Sequence, residues 1–217
     1  MNATQQEKFW NSNFGKEYTD RNKWSSDDEW DKTYLETWGM SKLAINDKVM
    51  KNLRRDIKIL EVGCNYGAQL RGFQRMGFTN LYGVELQSYA VEESKKFFSH
   101  LNIIEGSGFD LPFKDDFFDL VCTNGVLIHI SPDDHPNFMK EIHRCSNKYV
   151  MGWEYYDKDI TELNYRSNQG FMWKADFENI YRKNFPDLKT VEKHLIKYIS
   201  SPNSDAIFLL EKEHGRG

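Results

Sequence analysis

Ile59-Leu60-Glu61-Val62-Gly63-Cys64-Asn65-Tyr66-Gly67 is the stretch on which the fold turns. An apolar run ends in an acid, Glu61, and Gly63 then permits a tight turn with close backbone approach to a ligand. Gly67 opens a segment that reads as a helix to Met76, stopped by Gly77. A helix N-terminus directly after such a turn offers unpaired N–H groups and a positive dipole end to an anionic group. A glycine loop alone says little; its place between a strand and a helix says much more.

Outward from this stretch the pattern repeats. Ile57 to Val62, Asn80 to Glu85, Asn102 to Glu105, Phe118 to Thr123 and Lys148 to Trp153 read as short strands. Between them lie amphipathic stretches, one capped by Ser88 and running to about Phe98, another opening at Ser131-Pro132 and running to about Cys145. Lys174 to Phe185 reads as a further helix. Lys189 to Tyr198 and Ala206 to Glu211 read as two strands joined by the turn-rich SSPNSD, with no helix between them. The expectation is an α/β, Rossmann-like fold whose mostly parallel sheet ends in an antiparallel hairpin. Residues 51–217 form the main domain, and residues 1–50, which hold four of the six tryptophans, precede it as a helical lid.

Composition narrows the function classes. The chain has 217 residues, 39% of them hydrophobic and 29% charged, as expected of one soluble globular domain. No apolar run approaches the roughly 20 residues that span a bilayer, and the start, MNATQQEKFW, does not read as a signal peptide. No membrane association and a cytoplasmic location are expected. A net charge of −4 without a basic stripe argues against a nucleic-acid partner. Cys64, Cys122 and Cys145 show no paired spacing, which argues against disulfides and zinc.

The second signal lies 18 residues after Gly67, where Leu81 to Glu85 ends in a carboxylate. An acid at that strand end accepts hydrogen bonds from both hydroxyls of a ribose, which suits any adenosine-containing cofactor. A nicotinamide enzyme would usually show three glycines, whereas here Asn65 holds the middle position. An NAD-dependent oxidoreductase or epimerase is therefore the alternative, and a non-catalytic adenosine-binding module is another.

The pattern Glu61-x-Gly63-x-x-x-Gly67 resembles motif I of class I S-adenosylmethionine-dependent methyltransferases, and the terminal hairpin is similar to the end of their seven-stranded sheet. The segment Glu105 to Phe113 resembles the one that wraps the adenine ring in that family, with Ser107 where many members carry an acid. Phe117 to Ile130 resembles their fourth strand and the turn after it; the acid that metal-dependent members place there is absent, which implies no metal. Glu7 to Asn22, the VLIHI segment and Glu154 to Phe177 are similar to one bacterial subfamily, the methylases associated with pseudaminic acid biosynthesis.

The resemblance implies S-adenosyl-L-methionine as cofactor, with S-adenosyl-L-homocysteine as product. Cofactor contacts are expected from Glu61, Gly63, Asn65, Gly67, Glu85, Leu86, Ser107, Gly108, Phe109, Asn124 and Gly125, and from Tyr18 and Arg21 in the lid, with Arg21 meeting the cofactor's carboxylate. The expected acceptor is a small polar molecule, a sugar, a nucleotide sugar or another surface-glycan precursor, walled by Tyr155, Tyr165, Arg166 and Asp176. A monomer or a homodimer is expected.

His129 sits just beyond the fourth strand, and its ordinary titration near pH 6.5 suits a general base. Glu154 is the other catalytic candidate, with Asp176 behind it. His135 and His143 fall in the following helix, and His100, His194 and His214 are remote from any motif.

Overall fold

The computed structural model describes residues 3–213; His214 lies outside the described residues. Nine strands and eight α-helices are seen among them. In the core, β1 (Lys58–Val62), α5 (Ala68–Arg75), β2 (Asn80–Glu85), α6 (Ser88–Phe97), β3 (Asn102–Glu105) and β4 (Phe118–Asn124) follow one another. They are followed by α7 (His135–Cys145), β5 (Ser146–Tyr156), α8 (Phe177–Asn184), β8 (Leu188–Lys197) and β9 (Ser204–Lys212). The seven-stranded sheet has the order β3-β2-β1-β4-β5-β9-β8. β9 alone runs antiparallel to its neighbours, so the expected terminal hairpin is β8–β9.

Alternation along the strands feeds two cores. Leu60 and Val62 face α7 and α8 with Phe138, Ile142, Phe177 and Tyr181, while Ile59 faces α5 with Leu70 and Phe73. This two-sided burial explains why the strands read as near-continuous apolar runs. Strand order reverses between β1 and β4, and the crevice beyond their carboxyl ends is where open α/β sheets bind ligands.

Two helix starts differ from the expectation. Pro132–Asp134 form a 3-10 turn, and the α-helix opens at His135, with Pro136 in its first turn where a missing N–H costs nothing. Trp173–Lys174 (β7) pair with Thr161–Glu162 (β6) in a small antiparallel ribbon, so α8 opens only at Phe177, capped by Asp176.

The first 50 residues are helical: α1 (Gln5–Trp10), α2 (Asn13–Arg21), α3 (Asp27–Trp38) and α4 (Lys42–Met50). Side-chain oxygens of Thr4, Ser12, Ser26 and Ser41 cap all four. Ile45, Val49 and Met50 of α4 are buried in the second core, and Tyr34 and Trp38 of α3 pack against it. Among the described residues, no helix is long and apolar enough to cross a membrane.

The contact between β5 and β9 depends on a missing side chain. A Cβ on Gly152 would lie 2.3 Å from the Phe208 ring. Gly152→Ala is expected to destabilise the fold by about 1–3 kcal/mol through overpacking, with partial recovery when Phe208→Leu is added, as read by denaturant unfolding.

Candidate active site

The turn after β1 is built by local backbone chemistry. Gly63 (φ +73°) and Gly67 (φ +96°) are left-handed, and a Cβ on Gly63 would sit 2.7 Å from Val126. Asn65 is also left-handed (φ +50°), tolerated because its side-chain oxygen accepts the Tyr66 N–H at 2.7 Å. Glu85 at the end of β2 accepts the N–H of Asn65 at 2.8 Å on one oxygen and that of Gln87 at 2.9 Å on the other. Burial raises the Glu85 carboxyl above its ordinary value while those backbone donors pull the other way.

Over this edge lies a cavity of about 390 Å³, the size of a small-molecule site. Glu61, Gly63, Asn65, Glu85 and Leu86 line it, and so do Gly108, Phe109, Asn124, Gly125, His129 and Tyr18. Gly67 serves instead as the N-cap of α5. Four lining residues carry a buried polar atom without a protein partner: Trp10 Nε1, Glu61 Oε2, Gln69 Oε1 and Gln87 Oε1. Orphaned polar atoms around one hollow match a ligand with both donors and acceptors. A ribose fits Glu85, whose oxygens each keep a second lone pair.

Helix α1 roofs the cavity. Gln6 Nε2 donates to the Gly170 carbonyl at 3.2 Å, and Gln87 Nε2 donates to the carbonyls of Trp10 and Ser12, both at 3.0 Å. Ser107 donates to Glu7 at 2.5 Å and accepts the Phe109 N–H, so it does not line the cavity; the acid there is Glu7, which arrives from α1. Glu7, Trp10, Tyr34, Trp38 and Gln87 are cavity residues that sequence reasoning missed. The signal for Trp10, Tyr34 and Trp38 was the aromatic richness of the first 50 residues; Glu7 and Gln87 carried none.

Arg21 does not line the cavity. It lies over Phe14 and 3.6 Å from Glu17, a third exposed, yet near enough to Tyr18 and Tyr165 to act on their phenols. Tyr165 packs 4.8 Å from the His129 ring, and Arg166 follows it on an exposed, left-handed turn. Tyr155 packs on Tyr198 and under Lys174, outside the cavity lining. Asp176 is consumed by structure: it caps α8 and pairs with Lys193 at 2.6 Å.

His129 differs from the sequence expectation in its chemistry. It is 8% exposed, and burial pulls its pKa down to about 4. A carbonyl oxygen only accepts, so the 2.7 Å contact of Nδ1 with the Phe171 carbonyl puts the ring proton on Nδ1 and leaves the lone pair on Nε2. Trp10 meets the ring edge-on at 4.6 Å. Glu154, 1% exposed, lies behind this turn rather than in the cavity. Its carboxylate accepts the N–H groups of Val126 at 3.3 Å and Ile128 at 3.4 Å, and burial pushes it up to about 7. Among the described residues no cluster has the composition of a metal site.

Residues 60–149, which carry the turn, Glu85 and the β4 edge, match a family model described as a methyltransferase domain. Among solved structures, the Burkholderia thailandensis 1,6-didemethyltoxoflavin-N1-methyltransferase, with bound S-adenosylhomocysteine, superposes with TM-score 0.70 at 14% identity, over 99% of this chain and 93% of that one. Magnesium protoporphyrin IX methyltransferase from Synechocystis PCC 6803, also with bound S-adenosylhomocysteine, gives 0.65 at 14% identity over 95% and 98%. The [4+2]-cyclase SpnF gives 0.64 at 11% over 79% of each chain, so likeness at this level is likeness of fold. The domain match gives residues 60–149 a methyltransferase domain, with the cavity at its turn.

Glu85→Ala is expected to weaken S-adenosylhomocysteine binding by roughly 1.5–3 kcal/mol, the worth of hydrogen bonds to a charged group, in titration calorimetry. The His129 ring is expected to titrate near pH 4 by NMR. Because its folded pKa is depressed, the native state binds fewer protons than the unfolded chain between about pH 4 and 6.5, and this group's stability contribution is lost as pH falls through that window. A midpoint near 6.5 would contradict the desolvated ring.

Proposed function

We propose that this protein transfers the methyl group of S-adenosylmethionine to a small polar acceptor, a sugar, a nucleotide sugar or another surface-glycan precursor, at oxygen or nitrogen. The observation that carries this reading is that the glycine turn, Glu85 and His129 open into one cavity under α1. The cofactor supplies an already activated methyl group. The protein's tasks are to align the nucleophile and exclude water. The roof formed by α1, Trp10 over His129 and Tyr165 beside it support both tasks.

In this reading His129 Nε2 accepts a hydrogen bond from the acceptor's hydroxyl or amine. With its pKa held near 4, the ring orients the nucleophile more than it stores a proton. Glu154 acts through the turn that carries His129, as a positioning residue. No lysine or arginine side chain lines the cavity among the described residues, whereas Arg166 and Arg21 stand beside Tyr165. A neutral reacting end inside, with any phosphate held outside by Arg166 and Arg21, accounts for both facts.

The decisive experiment offers sugars, amino sugars and their nucleotide-linked forms with isotopically labelled S-adenosylmethionine and reads product mass. A labelled methyl on one class identifies the acceptor; cofactor turnover with none of them, against turnover with an unrelated class, would discard the glycan reading. Arg166→Ala is expected to raise the acceptor's KM on the order of tenfold with little change in the cofactor's, the loss of one charge-assisted contact. The opposite split would remove Arg166 from the acceptor's path.

A further inference from the structure

Lys42 opens α4, away from every motif of the domain, and is 0% exposed. Among the described residues it pairs with no carboxylate. Burying a lysine without an ion pair is costly, so its contacts matter. There are three: Nζ donates to Asn124 Oδ1 at 2.9 Å and lies 2.9 Å from the centroid of the Trp153 ring and 5.9 Å from that of Tyr34. Burial pulls the Lys42 amine well below its ordinary value, and whether charged or neutral it donates to Oδ1, so Asn124 turns its carbonyl oxygen toward Lys42 and its Nδ2–H groups the other way. Asn124 lines the cavity, and Nδ2 has no protein partner among the described residues.

The same cavity is lined by unmatched acceptors. Glu61 Oε2 is buried without a partner, within electrostatic reach of Lys42. Gln69 Oε1 is also orphaned, its Nε2 being spent on Asn46 of α4 at 3.3 Å. One outward-turned donor and two orphaned acceptors in one cavity match a group carrying both a carboxylate and an ammonium, an α-amino acid.

We propose that Lys42 is a positioning residue for the amino-acid half of the cofactor: it locks the Asn124 amide in the orientation that presents Nδ2–H to the ligand's carboxylate. The inference rests on S-adenosylmethionine being the cofactor. Lys42 touches no ligand atom itself; it acts by denying Asn124 its other rotamer.

The test compares two probes, S-adenosylhomocysteine and 5′-methylthioadenosine, which shares the nucleoside but lacks the amino-acid group. Lys42→Met keeps the length and removes the donor. It is expected to weaken S-adenosylhomocysteine roughly tenfold, the factor of about one hydrogen bond, and to change 5′-methylthioadenosine less than twofold. Asn124→Asp keeps the shape and a partner for Lys42 but loses the Nδ2 donor. It is expected to show the same selective loss, and the double variant no additional one. Equal weakening of both probes by Lys42→Met, or of neither, overturns the proposal. If Lys42→Met does not fold, Asn124→Asp decides alone: a ratio of affinities unchanged from the unsubstituted protein overturns it. Failure of the unsubstituted protein to bind S-adenosylhomocysteine overturns the cofactor reading and this proposal together, whereas normal binding with unchanged ratios removes Lys42 alone.

Discussion

The Glu85 carboxylate is the contact on which the site depends. It is half-buried, and a desolvated carboxylate must have hydrogen-bond donors or it loses its charge. Asn65 N–H, from the turn after β1, and Gln87 N–H, from the turn after β2, supply them. One acid thus ties two strand ends at fixed spacing, and the left-handed Asn65 follows from that tie as much as from its own side chain. The bond continues outward, because Gln87 reaches the carbonyls of Trp10 and Ser12 and so holds the roof at the same height. Sheet edge, cofactor turn and lid are one hydrogen-bonded unit.

The lid is a thin structure attached at a few points. Glu7 to Ser107, Gln6 to Gly170 and the stacking of Phe9 on Phe171 at 4.0 Å fasten α1 across the cavity. Each of these is a single hydrogen bond or ring contact, modest against the entropy of ordering a six-residue helix. Trp10 carries an unpartnered buried Nε1 at this roof.

Behind the cavity, a second buried acid organises the reacting edge. Glu154 accepts backbone N–H groups from the turn after β4 and so sets where His129 enters the cavity. The Phe171 carbonyl then selects the tautomer. Aromatic neighbours exclude water and hold the ring neutral. Two acids at strand ends, Glu85 and Glu154, therefore differ in place: both accept backbone N–H groups, but Glu85 lines the cavity and Glu154 lies behind it.

The order of the seven main-sheet strands and their helices was legible from residue 57 onward, because two-sided burial writes apolar runs and helix packing writes a period of 3.6, whereas the short β6–β7 ribbon was not. Gly63, Gly67 and Glu85 were legible for the same local reason: a strand-to-helix turn needs a left-handed backbone, and the acid stands at a strand end. The roles of Arg21, Asp176 and Ser107 were not, since a charged or hydroxyl side chain near a motif has several partners in reach and only the packed chain selects one. Lys193, 17 residues beyond Asp176, claims it. Glu7, 100 residues before Ser107, claims that hydroxyl. The sequence alone determined the sheet, its terminal hairpin and the cofactor turn, all set by interactions between near neighbours. Tertiary structure alone decided the roof, the buried Lys42 and the basicity of His129, because each depends on which distant residues desolvate or pair with it.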